Sequence, residues 1–99
     1  MRITPIERET IVREVSRWFG QNSRVMLFGS RTNDAAKGGD IDLFIVPVSR
    51  RDIYMKKIHF LASLKSEIGE QKIDVVIDNG EDDHRMIVDT ARREGILLE

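Results

Sequence analysis

Three aspartates are the residues of this sequence best placed to carry chemistry. Asp40 and Asp42 are separated by one apolar residue, and Asp74 lies inside the apolar run Ile73–Ile77. Side chains two positions apart on a strand share a face and lie about 6.6 Å apart, at a rise of ~3.3 Å per residue. Adjacent carboxylates repel each other, and Mg²⁺, which prefers oxygen ligands, relieves that repulsion. The aspartates therefore predict a divalent metal site.

A short turn before the paired aspartates has the composition of a phosphate-binding segment. Gly29 has no side chain, so that backbone can approach a phosphate closely, while Ser30 offers a hydroxyl and an amide. Arg31 carries a charge that matches phosphate oxygens, although it could equally be a surface arginine that pairs with Asp34. We predict nucleotide binding at Gly29, Ser30 and Arg31.

Together these residues predict metal-assisted phosphoryl transfer. One metal held by Asp40 and Asp42 would orient a triphosphate and stabilise the leaving pyrophosphate. A second metal, shared with Asp74, would lower the pKa of the attacking hydroxyl, and Asp74 is also a candidate to accept its proton. Asp40, Asp42 and Asp74 are thus predicted as both the metal ligands and the catalytic residues.

Hydrophobic periodicity and capping signals predict the elements that position these residues. The expected elements are a helix from about Pro5 to Phe19, strands at Arg24–Phe28 and Asp40–Val48, a helix from Ser49–Asp52 to Ile68, a strand at Lys72–Ile77, and a helix from Gly80 to Gly95. Residues 31–39 have the composition of a loop or one irregular turn. The order α-β-β-α-β-α predicts an α/β (α+β) fold with a small mixed sheet of about three strands, as one domain over residues 1–99.

The chemistry also predicts strand directions. Asp42 and Asp74 meet only if the second and third strands are parallel, joined by a crossover helix. The turn at Gly29 reaches the same end of the sheet if the first strand is antiparallel to the second. Asp78 shares a face with Asp74 but lies about 13 Å further along the strand, so it is excluded from the metal site.

Composition limits the classes of function. The 99 residues carry a net charge of -1, which argues against a polymerase that clamps long DNA. The sequence has no cysteine and no apolar run long enough to span a bilayer, so we expect a cytoplasmic protein.

The order Gly29-Ser30, a loop, Asp40-Ile41-Asp42 and a third aspartate on a strand resembles the minimal nucleotidyltransferases of the DNA polymerase beta superfamily. The segment Ala91–Leu97 also resembles the usual ending of that family. Two departures stand out: Asn33-Asp34 replaces a frequent Arg-Gly, and Gly39 replaces a frequent serine.

The resemblance implies that the chain is the antitoxin of a pair whose toxin is a helical HEPN ribonuclease. It further implies Mg²⁺-dependent transfer of AMP from ATP to a toxin hydroxyl, commonly a tyrosine. Two alternatives remain at this point. The domain could be an inactive antitoxin or binding module that neutralises its partner by forming a complex, or it could modify a small molecule, although it lacks an enclosing second domain.

Overall fold

The computed structural model describes residues 2–32 and 39–98, with only the backbone of Ser30. In this part of the chain the elements are α1 (Pro5–Phe19), β1 (Arg24–Phe28), a 3₁₀ turn (Gly29–Thr32), β2 (Ile41–Val46), α2 (Ile53–Ile68), β3 (Ile73–Ile77), α3 (Met86–Glu94) and β4 (Ile96–Leu98). No helix in the described ranges is long and apolar enough to cross a membrane. The loop predicted for residues 31–39 falls largely on residues 33–38, which lie outside the description.

The sheet has the strand order β3-β2-β1-β4. β1 and β2 are antiparallel, whereas β2 and β3 are parallel and are connected through α2. The mixed α/β sheet and both strand directions predicted from the chemistry are confirmed. In this register Asp42 lies opposite Asp74 on one side and opposite Phe28 on the other, so the end of β1 reaches the aspartates.

A fourth strand extends the predicted three. Ile96, Leu97 and Leu98 form β4, which pairs antiparallel with the free edge of β1. Three residues after Gly95 are too few to show an alternating pattern, and only Leu98 is buried. Without β4, the backbone N–H and C=O groups at the outer edge of β1 would have no strand partner. These hydrogen bonds explain the formation of β4 better than side-chain burial does.

The two faces of the sheet are covered by different helices. Residues at alternate positions of β2 enter different clusters, since Leu43 and Ile45 pack with α1 and α2 whereas Phe44 packs with α3. Asp42 is two positions from Phe44 and therefore lies on the α3 face. The α3 cluster consists of Phe28, Phe44, Val88 and Ala91, with Met26, Val46 and Val76 packed against it.

The start of α3 differs from the prediction. The acidic residues 81–83 do not form its first turn, because the helix begins at Met86. Asp83 is instead buried and accepts hydrogen bonds from the backbone N–H groups of Asn79 and Arg85 and from the Arg85 guanidinium. These bonds hold the pKa of Asp83 well below its usual range, with the Arg85 side chain as the main cause. The loop therefore satisfies the carboxylate before the helix starts.

The first helix begins as predicted, with a capping box. The Glu7 N–H donates to Thr4 Oγ1 at 3.0 Å, and the Thr4 N–H donates to Glu7 Oε1 at 2.8 Å. Pro5 occupies the first helical turn, where its missing N–H costs no hydrogen bond. These contacts fix the N-terminus of α1. The segment that precedes it borders the 3₁₀ turn, since Arg2 is hydrogen-bonded to Arg31.

We expect Thr4→Ala to lower the free energy of unfolding by about 1 kcal/mol, because the Glu7 N–H loses its side-chain acceptor. Urea unfolding followed by far-UV circular dichroism measures this change. Thr4→Ser keeps the hydroxyl and should behave as the wild type. Equal losses in both variants would contradict the capping role.

Candidate active site

The two central aspartates face each other across neighbouring strands. Asp42 of β2 and Asp74 of β3 are register partners in a parallel pair. Asp40 and Lys72 stand one position before the first register pair, Ile41 and Ile73, and the Ile41 N–H donates to the Lys72 carbonyl at 3.1 Å. The structure therefore brings together three carboxylates and one lysine at the starting ends of two strands.

The electrostatics of this group are dominated by negative charge. Burial raises the pKa of Asp42 above its ordinary value, and the neighbouring carboxylates of Asp74 and Asp40 raise it further. Lys72 acts in the opposite direction and lowers the pKa of Asp42. Its ammonium lies 3.3 Å from Oδ2 of Asp40. The same ion pair raises the pKa of Lys72. The protein thus holds more carboxylates together than its own cation neutralises.

Gly29 approaches Asp42 so closely that a side chain at position 29 would displace the Asp42 carboxylate. Its φ is +75°, a left-handed conformation that favours glycine. A Cβ atom built on Gly29 would overlap Oδ2 of Asp42 and would lie 3.2 Å from its Cγ. The predicted proximity of the turn to the carboxylates is therefore present in the geometry, and Asp42 is the residue that the turn contacts.

Arg31 occupies a bridging position at the edge of this site. Its guanidinium donates to the Arg2 carbonyl at 2.8 Å, to the Gly39 carbonyl at 3.2 Å and to Oε1 of Gln71 at 3.3 Å. The Arg2 N–H donates back to the Arg31 carbonyl at 2.7 Å. These bonds join the 3₁₀ turn to the N-terminal segment and to the residues that precede β2 and β3. A phosphate contact by Arg31 stays a prediction.

Two of the sequence predictions fall outside the description. The Ser30 side chain is one of them, although the backbone of Ser30 lies in the 3₁₀ turn beside Gly29. The suggested pairing of Arg31 with Asp34 is the other. Phosphate binding by Ser30 therefore remains a prediction.

Asp78 lies away from the carboxylate group, in agreement with its exclusion. It follows β3 and is buried, and its Oδ1 accepts from Arg92 Nη2 at 3.1 Å and from the Gly80 N–H at 2.8 Å. A buried carboxylate with these partners is compensated by the protein itself. Asp78 therefore anchors the connection between β3 and α3.

Lys72 and Gln71 are the polar neighbours that sequence reasoning missed. Lys72 precedes Asp74 by two residues, so strand alternation alone places both side chains on one face. The alternation of Lys72 and Asp74 is visible in the sequence, and the parallel pairing of β2 and β3 then brings Lys72 next to Asp40. Gln71 gives no comparable signal, because its contacts with Arg31 and Glu7 depend on the tertiary fold.

The donor set suits a divalent cation that is shared with phosphate oxygens. Within the described ranges, no group of three or more His, Cys, Asp or Glu side chains is arranged so that it could hold a metal ion. Mg²⁺ usually keeps several waters and binds one or two carboxylates together with substrate phosphates, so a complete cage is not required. Asp42 and Asp74 face each other, and the pKa of Asp42 is raised first by burial and then by the charges of Asp74 and Asp40, a repulsion that a cation would relieve. Asp42 and Asp74 could supply the two carboxylates of such an ion, and metal binding by the three aspartates stays a prediction.

Comparison with protein families identifies the family of the chain. A family model described as "Polymerase beta, Nucleotidyltransferase" matches residues 14–99, a range that contains the 3₁₀ turn and all three aspartates. No curated protein matches the chain.

Proposed function

Because the chain belongs to the polymerase beta nucleotidyltransferase family, we propose that it transfers AMP from ATP to a hydroxyl group of a partner protein. The observation that carries this proposal is the facing pair Asp42 and Asp74, with the backbone of Gly29 against Asp42. Family membership supports nucleotidyl transfer in general. The nucleotide, the acceptor and the partner are the parts that we propose.

We propose a role in this reaction for each of the three aspartates. Asp40 and Asp42 would hold one Mg²⁺ that orients the triphosphate, and Asp42 and Asp74 would hold a second one near the acceptor. Bound Mg²⁺ supplies charge neutralisation for the pyrophosphate that leaves and a lower pKa for the attacking hydroxyl. Asp74 is exposed and would accept the proton of that hydroxyl.

The turn after β1 would bind the triphosphate. Because Gly29 has no Cβ, the Asp42 carboxylate can lie directly against the turn, and phosphate oxygens bound at the turn could share one cation with it. The backbone of Ser30 follows in the same turn, and its hydroxyl is a further proposed ligand. Arg31 is proposed as the cationic contact at the outer side of the turn.

We further propose that the acceptor is a tyrosine of a helical HEPN-type toxin, that the chain is the corresponding antitoxin, and that both act in the cytoplasm, where ATP is available. Exposed apolar side chains support a protein partner. Tyr54 and Ile58 of α2 are 80% and 60% exposed, and Met86 at the start of α3 is 87% exposed. Covering such apolar side chains with a partner surface lowers the free energy of the complex.

The same exposed side chains also favour the second candidate, an inactive antitoxin that neutralises its partner only by binding. The two functions differ in their dependence on ATP. A binding module needs neither ATP nor Mg²⁺, whereas a transferase needs both. The experiment therefore compares incubations with and without ATP and Mg²⁺.

We expect the protein encoded by the adjacent gene to gain the mass of one or more AMP groups after incubation with this chain, ATP and Mg²⁺. Intact mass spectrometry measures the gain, and tandem spectra locate the modified residue. Parallel incubations with EDTA or without ATP should leave the mass unchanged. A stable complex on size-exclusion chromatography without any mass gain would instead establish the binding module.

A further inference from the structure

Four side chains form a two-by-two arrangement on the α3 face of the sheet. Asp42 of β2 and Asp74 of β3 are register partners. Asp40 and Lys72 each lie one position before the first residue of these strands, and their side chains form an ion pair. Neighbouring strands lie about 4.8 Å apart, so each side chain is within electrostatic reach of the other three. Lys72 therefore takes one corner of a group whose other corners are carboxylates.

Lys72 interacts with the whole group, and its closest contact is Asp40. Its ammonium lies 3.3 Å from Oδ2 of Asp40, and 71% of the Lys72 side chain is exposed. The carboxylates of Asp74 and Asp42 also stabilise its charge, more weakly than Asp40 does.

Two features separate this ion pair from an ordinary surface salt bridge. It engages a carboxylate that the proposed function uses as a metal ligand, so the lysine and a divalent cation would compete for the same oxygen atom. In addition, the Lys72 backbone is fixed by the hydrogen bond from the Ile41 N–H, whereas its long side chain is mostly exposed. The ammonium can therefore leave Asp40 without any change in the strand pairing.

We propose that Lys72 is a built-in counter-ion that competes with the divalent cation for Asp40. This inference rests on the proposed function. Lys72 neutralises Asp40 in the resting site, so that a metal ion alone binds weakly. A metal ion that arrives with a triphosphate has additional ligands and displaces the lysine, whose released ammonium is then close to the phosphate oxygens. Lys72 is thus a positioning residue that couples metal binding to nucleotide binding.

The test is the affinity of the nucleotide-free protein for Mn²⁺, measured from the electron paramagnetic resonance signal of the free ion. We expect Lys72→Met to bind Mn²⁺ roughly three- to tenfold more tightly than the wild type, because the competing charge is gone. Lys72→Arg keeps the charge and should bind Mn²⁺ as the wild type does. Lys56→Met removes a lysine from α2, on the other face of the sheet, and should also have no effect.

The possible results separate this inference from the proposed function. Wild-type affinity in Lys72→Met, together with weaker binding in Asp42→Asn, would overturn the role of Lys72 and leave the metal site intact. Weaker Mn²⁺ binding in Lys72→Met would overturn it too, since a merely structural lysine would disturb Asp40 when removed. If neither the wild type nor Lys72→Met bound Mn²⁺ without nucleotide, the inference would fail, whereas the metal-dependent function would still be decided by the transfer assay with ATP and Mg²⁺.

Discussion

Asp42→Asn is expected to lower the rate of nucleotidyl transfer by at least about 10²-fold while the protein stays folded. The substitution keeps the size of the side chain but removes a negative charge at the centre of the carboxylate group. Changes in residues that only support a metal ligand typically cost 10- to 100-fold, so the loss of a ligand itself should cost at least as much. Initial rates with radiolabelled ATP measure the effect.

The same substitution should not destabilise the protein at neutral pH. Burial, together with Asp74 and Asp40, raises the pKa of Asp42 in the folded state, so the fold favours its uncharged form. The resulting stability is fully present below the pKa of the unfolded chain and is lost as the pH rises through the folded-state pKa. Asparagine stays uncharged, and we therefore expect a melting temperature at pH 7 and without metal that equals or exceeds that of the wild type.

This difference in melting temperature should shrink as the pH is lowered toward 3, because Asp42 of the wild type then becomes protonated as well. Asp82→Asn is the matched control: it removes an exposed aspartate of the loop before α3 and should change neither activity nor stability. Full activity of Asp42→Asn, or a melting temperature clearly below that of the wild type at pH 7, would refute the assigned role.

The strand directions could be predicted because the chemistry restricts them. Three aspartates that share a metal site require β2 and β3 to be parallel, and a phosphate-binding turn at Gly29 requires β1 to run in the opposite direction. Each condition eliminates topologies that hydrophobic periodicity alone would allow. The observed parallel register, in which Asp42 lies opposite Asp74, meets the condition on β2 and β3.

Features that depend on tertiary contacts were less accessible to sequence reasoning. β4 has only three residues, and its pairing with β1 supplies hydrogen bonds rather than an apolar pattern. The acidic residues before α3 have the usual composition of a helix start, but the Asp83 carboxylate is satisfied by Asn79 and Arg85 before the helix begins. In both cases hydrogen bonds of the surrounding fold outweigh the local signal.

Gly29→Ala is expected to damage both the fold and the activity. The backbone at residue 29 has a φ of +75°, and a left-handed conformation costs a residue with a Cβ about 1–2 kcal/mol. The new Cβ would also overlap Oδ2 of Asp42, so that this carboxylate has to leave its present position beside the turn and opposite Asp74. We expect the free energy of unfolding to fall by roughly 2–4 kcal/mol and the transfer rate to fall by at least about 10²-fold.

Gly69→Ala separates backbone strain from the effect on the site. Gly69 at the end of α2 has a φ of +94°, but a Cβ atom built there has no neighbour within 4 Å. This control should lose roughly 1–3 kcal/mol of unfolding free energy and keep its transfer rate at temperatures where it is folded. Chemical denaturation gives the stabilities, and rates are compared well below the melting temperature of both variants. Equal transfer rates in the two variants would show that the contact between Gly29 and Asp42 is dispensable; loss of the rate in Gly29→Ala alone would identify that contact as the feature that holds Asp42 in position for transfer.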